Sequence, residues 1–307
     1  MELRHLRYFV AVAEALNFTK ASARLRVAQP ALSRQMTDLE DEIGVDLMKR
    51  SPRGVTLTAE GKLFLDEVRE LLKRADESVE KVRALARGEY GELHVGYAPS
   101  PTVEVLPPAL AAFQKAVPRV KVLLHDLSSD ELIAGLQNGT LEVAIMVPPD
   151  DQTTGIQFEV LRTYPLCVAM TAMHPFARMK YIPLEKLAAE PLVVLSRKEY
   201  PESDRYLDRL FASIPAKPAI AVECDSASSL ITEVEAGRGI ALATPVLKLV
   251  TGKRLLYRPL TGTTEVLSVG IARATKGDVT PAGGKFCELL RKISNGTSAA
   301  KPKPARS

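Results

Sequence analysis

Gln29, Ser33, Arg34 and Thr37 share one side of the stretch NFTKASARLRVAQPALSRQMTDL, Asn17 to Leu39. They are the residues whose types and spacing suggest chemistry. A glutamine bonds bidentately to adenine, an arginine to guanine, and a serine or threonine to several base edges. No acid occurs from Ala15 to Thr37, whereas Lys20, Arg24, Arg26 and Arg34 are basic. Pro30 suits the first position of a helix, where no N–H is needed, and the N–H groups of a helix start favour a phosphate. The set reads as the outer face of the second of two short helices, a helix-turn-helix whose second helix enters the DNA major groove. The plain alternative is a helical hairpin with a solvated face.

Several elements must hold these residues in place. Asn17 or Thr19 can cap the first short helix, and Ala21 and Leu25 give it an apolar face. Arg26 to Gln29 form the turn. Leu32, Met36 and Leu39 recur at helical spacing and pin the second helix to the first. Leu3, Leu6, Phe9, Val10, Ala13 and Leu16 predict a further helix packed behind both. Five acids between Asp38 and Asp46 lie at the far end of the second helix, and Gly44 is a C-terminal stop. Leu47 to Leu57 predicts two short strands around Ser-Pro-Arg-Gly, a wing. Arg53 at its tip suits the minor groove, with Lys49 and Arg50 on phosphates.

From Thr58 to Arg87 the residues Gly61, Leu65, Val68, Leu72, Ala75, Val79, Val82 and Ala86 alternate by four and three. That is an a/d seam, which favours a helix–helix dimer over a helix lying on its own next domain. Gly88 to Gly91 is expected to end this helix and act as a hinge. Beyond it strands and helices alternate. Strands are expected at 92–97, 120–126, 141–147, 166–170, 192–195, 220–223, 240–244 and 266–272, with helices at 103–116, 130–138 and 282–293. This βαβ order implies a largely parallel sheet with helices on its faces, in two lobes.

Ligands of open α/β sheets lie beyond the carboxyl ends of strands. Three such ends carry hydroxyls: Ser100 and Thr102, Ser128 and Ser129, and Ser226. Arg197 could supply a bidentate cation, and Tyr200 an apolar wall. Each hydroxyl alone reads as a helix cap. Together they suggest a cleft for a small anion, a carboxylate.

The run NFTKASARLRVAQPALSRQMTDLEDEIGVDLMKRSPRGVTLTAEG resembles the N-terminal signature of the LysR-type transcriptional regulators. The QPALSRQ core, the LE pair, the IGVDL turn, the R-x-x-R-G wing and the LTxxG helix start fall in family order. Ala28 departs from the Ser common in the family, and Met48 from Phe. The resemblance implies a winged helix-turn-helix, a dimerisation helix and a two-lobed effector domain similar to periplasmic binding proteins of type 2. It also implies a homodimer through the linker helix, pairing of dimers into a homotetramer, and double-stranded DNA with an interrupted inverted repeat as partner. RNA polymerase is a further candidate partner. Similarity to regulators of aromatic catabolism suggests an aromatic acid or its ring-opened product as effector. The expected domains are 1–58 (winged helix-turn-helix), 59–90 (linker helix and hinge), 91–294 (effector domain, lobe I about 91–162 and 267–294, lobe II about 163–266) and 295–307 (disordered basic tail).

Bulk composition agrees with such a protein. The 307 residues are 46% hydrophobic and 25% charged, ordinary for a globular chain of two domains. No run of 18 apolar residues and no signal peptide is present, so the expected location is cytoplasmic. The net charge of +4 says less than its placement. Cys167, Cys224 and Cys287 are far apart and read as buried side chains rather than a disulfide frame or metal site. His5, His94, His125 and His174 are scattered, and HExxH, GxSxG and glycine-rich phosphate loops are missing. No enzyme, metal or cofactor is expected. The competing readings are a two-lobed solute-binding or transferase-like protein, and a ligand-independent DNA-architectural protein.

Overall fold

The structure is a computed structural model and describes residues 1–307 apart from 52–53, 99–101, 151, 216, 278 and 297–307. The chain divides into two units, Met1–Ala84 and Leu85–Ser307. No helix among the described residues is long and apolar enough to cross a membrane.

In the first unit, helices α1 (Leu3–Ala15), α2 (Phe18–Leu25) and α3 (Gln29–Ile43) are followed by strands β1 (Met48–Ser51) and β2 (Gly54–Leu57) and helix α4 (Ala59–Ala86). Leu32, Met36 and Leu39 are buried in one core with Phe9, Val12, Ala21, Leu47 and Val55. The helical spacing predicted this face of α3, and Leu6, Phe9 and Ala13 of α1 are buried as expected, while Leu3 and Leu16 stay exposed. Asn17 caps α2 by accepting from Lys20 N at 2.9 Å. Gly44 ends α3 at φ 83°. The β1–β2 hairpin is antiparallel, pairing Met48 with Leu57 and Ser51 with Gly54.

The expected seam of α4 is only partly free. Gly61 and Val68 are buried, and Phe64 and Leu65 pack on the winged core, with the Phe64 ring 5.1 Å from that of Phe9. A Cβ on Gly61 would meet Leu47 O at 1.8 Å, so the first turns of α4 complete the winged unit. Of the expected seam, Val79 at 49% and Val82 at 68% are exposed, while Leu63 and Leu71 are exposed apolar residues outside it.

The second unit contains β3 (Gly91–Tyr97), α5 (Leu106–Ala116), β4 (Val120–Asp126), α6 (Ser129–Asn138), β5 (Val143–Met146), β6 (Ile156–Pro165), β7 (Cys167–Met170), β8 (Ile182–Pro183), α7 (Leu184–Leu187), β9 (Leu192–Leu195), α8 (Pro201–Leu210), β10 (Ile220–Cys224), α9 (Ala227–Glu235), β11 (Ala241–Ala243), α10 (Lys248–Thr251), β12 (Leu256–Thr261), β13 (Val266–Ala274) and α11 (Pro281–Gly296). One sheet has the order β4-β3-β5-β13-β6. Its first three strands are parallel, and β13 runs antiparallel to both β5 and β6. Phe113 of α5 and Phe286 of α11 meet edge to face on one side of it at 5.4 Å, and Leu132 and Leu136 of α6 cover the other. A second sheet has the order β11-β7-β12-β8, beside the parallel pair β10-β9. A bridge from Leu192 to Ile240 joins the two.

The expectation of a largely parallel sheet therefore holds only in part. The chain leaves the first sheet through β6, which runs in the same direction as β3, β4 and β5 and is separated from β7 by Leu166 alone, and it returns through β13, which is reversed against all of them. The missed β6 carries a register shift opposite Val269 and Gly270. A bulge of this kind changes the phase of a period-two pattern, and IQFEVLRTYP alternates poorly for that reason. Gly270 is required there, since a Cβ would lie 2.2 Å from Glu159 O. The missed β12 contains Pro259, which weakens any strand signal. The first sheet keeps β6 to Pro165, three residues past the expected lobe limit, because β13 pairs with it along its whole length.

The Gly88–Gly91 segment is not a free hinge. Gly88 is buried at φ 69°, and a Cβ on it would sit 2.4 Å from Ala282 N. Helix α11 runs to Gly296, so residues 295–296 are helical rather than tail. The rest of the expected tail lies outside the described residues.

Candidate nucleic-acid interface and ligand cavity

Helix α3 opens with Gln29, which places Pro30 second rather than first, and the cap position is Ala28, whose side chain offers no acceptor. The first turn therefore has N–H groups that no side chain satisfies. Gln29, Pro30, Arg34 and Thr37 are exposed and Ser33 is half-buried. Arg34 has no carboxylate partner among the described residues, whereas Arg24 is spent on Glu14 at 2.9 Å. Arg24 and Arg69 hold the Glu14 carboxyl below its ordinary range.

Two residues behave otherwise than expected. Lys49 is exposed on β1, but Arg50 does not project freely for a phosphate. Its guanidinium bonds Ser33, Thr37 and Glu40 on α3. Glu40, one of the five acids between Asp38 and Asp46, is largely covered as well. Its side chain is 10% exposed, and Oε1 accepts from Leu47 N at 2.9 Å and Met48 N at 3.0 Å. One carboxylate thus joins the recognition helix to the start of the wing. The LE pair at Leu39–Glu40 was the only local sign of it. Arg53 lies outside the described residues.

The hydroxyl-rich edge does not form a vacant anion cradle. Thr102 is buried and donates to Ala98 O at 2.7 Å. Ser128 caps α6 in a capping box with Glu131. Ser129 donates to Glu202 Oε1 at 2.6 Å, and Ser226 caps α9 through Ser229 N at 3.1 Å. Arg197 points to solvent and pairs with Asp204 at 3.3 Å. Ser100 lies outside the described residues. Tyr200 is buried, and its phenol is pushed up by burial and by Asp126, Glu202, Glu131 and Asp225 around it. Burial also raises the carboxyls of Asp126 and Glu202. A carboxylate ligand at this edge would meet like charge and hydroxyls already engaged.

The space suited to a small molecule lies beside this edge, behind α8. A cavity of about 350 Å³ is walled by Val193, Leu195, Leu207, Leu230, Leu242 and Tyr206, within the size range of ligand sites. Of the predicted effector residues, Thr102, Ser128, Ser129, Arg197, Tyr200 and Ser226 do not line it. The Tyr206 hydroxyl is buried without a hydrogen-bond partner among the described residues, and burial raises its pKa far above the ordinary value. The Arg209 guanidinium stacks 5.7 Å over the Tyr206 ring. Helix α8 also holds the first lobe twice, through Glu202 to Ser129 and through the ion pair of Arg205 with Asp150. Sequence periodicity could not reveal this, because the walls come from segments far apart in the chain.

His94 and His125, distant in sequence, meet across β3 and β4 with Nδ1 and Nε2 3.1 Å apart. No group of three potential ligands occurs among the described residues. The three cysteines are free and buried, and burial pushes the Cys167 thiol up to about 12.

Comparison with known proteins agrees with this architecture along the chain. Residues 3–62 match the family described as "Bacterial regulatory helix-turn-helix protein, lysR family". Residues 86–294 match the "LysR substrate binding domain". The HTH-type transcriptional regulator AlsR of Bacillus subtilis (strain 168) is 35% identical over 260 residues, covering 85% of this chain and 86% of AlsR. The Hca operon transcriptional activator HcaR of Escherichia coli (strain K12) is 32% identical over 292 residues, covering 95% and 97%. Full-length CbnR complexed with its target DNA has a TM-score of 0.80 and 31% identity, covering 96% of this chain and 100% of that one. With a winged helix-turn-helix ahead of a two-lobed substrate-binding domain, and with relatives that are named as regulators, the chain belongs to the LysR family of DNA-binding transcriptional regulators.

Proposed function

We propose that this regulator reads the two halves of an interrupted inverted repeat with two copies of α3, and that a small effector in the cavity behind α8 controls it. The observation that carries the reading is the exposed face of Gln29, Pro30, Arg34 and Thr37 at a helix start with no side-chain cap. Arg34 meets a guanine edge, and the first-turn N–H groups meet a phosphate. Lys49 and Arg53 add backbone and minor-groove contacts. The CbnR relative in complex with its target DNA supports the same use of the fold. A DNA-reading protein of this kind works in the cytoplasm.

The exposed apolar residues of α4, Leu71, Val79 and Val82, form the dimer seam, and dimers pair further into a tetramer. The effector is a small acid with an apolar body. Its body fills the cavity, Tyr206 donates to it, and Arg209 takes its carboxylate. Occupancy bears on α8, which ties the two lobes through Glu202–Ser129 and Arg205–Asp150. A ligand moves such an equilibrium only by its differential affinity for the two arrangements.

Arg34→Ala tests the DNA reading. It costs roughly 1–3 kcal/mol in binding to the preferred site and relaxes base choice at one position, measured by anisotropy on duplexes from the protein's own upstream region. Unchanged binding would show Arg34 to be the wrong residue.

A further inference from the structure

The Arg50 guanidinium is committed to the outer side of α3. Nη1 donates to Ser33 Oγ at 3.0 Å, and Nη2 donates to Thr37 Oγ1 at 2.9 Å and to Glu40 Oε2 at 3.2 Å. The group lies over the Phe18 ring, 5.2 Å from its centroid. Arginine has five N–H donors in a rigid fork, so most of them are directed at one helix face. Thr37 returns its own hydroxyl proton to Ser33 O at 3.2 Å. The Ser33 proton has no acceptor among the described residues. A hydroxyl offers one donor and two acceptor sites. A charge-assisted bond claims one Ser33 lone pair and draws electron density from the other. What remains for Ser33 to offer outward is its O–H.

We propose that Arg50 is a positioning residue that sets the polarity of base readout by holding Ser33 as a hydrogen-bond donor toward the major groove. This rests on the reading that α3 enters that groove. Guanine shows two acceptors there and thymine one, adenine shows an acceptor and a donor, and cytosine shows only a donor. The base facing Ser33 is therefore guanine or thymine, and cytosine is disfavoured most. Thr37, with its proton and one lone pair used, has less to contribute than its exposure suggests. The competing role for Arg50 is to leave α3 and neutralise a phosphate when DNA arrives.

The test selects sites from a randomised duplex pool with the full-length protein and its Ser33→Ala and Arg50→Met variants, and then measures binding over a salt series. Ser33→Ala should mark one base position in each half-site. There the wild type should prefer guanine or thymine over cytosine by roughly three- to tenfold, the worth of one net hydrogen bond. Arg50→Met should lose that preference at the same position, the double variant should lose nothing more, and the slope of log K against log salt should stay at the wild-type value. An unchanged preference with a slope smaller in magnitude by about 0.9 would mark a phosphate contact and overturn the proposal. So would cytosine at the Ser33 position, or a Ser33→Ala variant that selects wild-type sites. A wild type that selects no sequence at all would remove the groove reading and the proposal with it. If Arg50→Met does not fold, Arg50→Lys keeps the charge but cannot bridge both hydroxyls, and loss or retention of the preference at the Ser33 position decides.

Discussion

Replacing Glu40 is the sharpest test of how the winged unit is held together. Its Oε1 accepts both Leu47 N and Met48 N, and its Oε2 accepts from Arg50. Leu47 and Met48 are themselves buried, so water cannot replace the carboxylate at their N–H groups. Glu40→Ala leaves two donors unsatisfied at about 1–3 kcal/mol each, a local loss of about 2 to 6 kcal/mol in which about 3 kcal/mol lies toward the lower end. Glu40→Gln separates the two functions. Its amide oxygen can keep both backbone bonds, while its NH₂ faces the Arg50 donor and breaks that link, so it should cost about 1 kcal/mol. Amide hydrogen exchange at Leu47 and Met48 reads the difference directly. A loss of about 3 kcal/mol speeds exchange from local opening roughly a hundredfold. The alanine variant should show this and the glutamine variant a change below about tenfold. Protection in Glu40→Ala within threefold of wild type would refute the claim that one carboxylate joins α3 to the wing.

Burial raises the Glu202 carboxyl, so ionising it costs the folded state. That cost is absent below the ordinary carboxylate pKa and grows as pH rises through the raised folded value. Glu202→Gln, which can still accept from Ser129, should therefore raise the thermal midpoint at pH 8, with a gain that shrinks as pH falls toward 4; a gain independent of pH counts against the argument. Tyr206→Phe removes a buried hydroxyl with no partner among the described residues, so the apo protein should be at least as stable as wild type by thermal shift, while binding of a small aromatic acid weakens about tenfold; a less stable apo protein would show that the hydroxyl has a structural partner. Val82→Asp places a charge on the exposed seam of α4, where Val82 is 68% exposed. Light scattering should then show loss of the dimer at micromolar concentration with unchanged helicity, and an intact dimer would move the seam elsewhere.

What could be read without a structure was local. Leu32, Met36 and Leu39 lie within two turns of one helix, so their spacing alone decides which side of α3 is buried and leaves Gln29, Arg34 and Thr37 outside. The wing followed from two short strand signals around one turn, and the family signature from consecutive residues. The parallel strands β3, β4 and β5 were visible because a helix separates each from the next.

What escaped depends on partners far apart in the chain. The direction of β13 is set by β6, more than a hundred residues earlier, and the bulge beside Gly270 shifts the very alternation by which a strand is recognised. In the sequence Glu40 is one of five acids between Asp38 and Asp46, and only the fold brings Leu47, Met48 and Arg50 onto it. Arg50 reads as a phosphate ligand in the sequence, and only the fold shows its donors directed at Ser33 and Thr37. The hydroxyls of Ser128, Ser129 and Ser226 stood at strand ends where a ligand would be expected. Only the tertiary structure showed that carboxylates and backbone N–H groups already use them, and that a cavity opens behind α8. Periodicity reports which face of an element avoids water. Which group on that face finds which partner is decided when the elements pack, because a polar atom removed from water takes the nearest complement the fold brings to it.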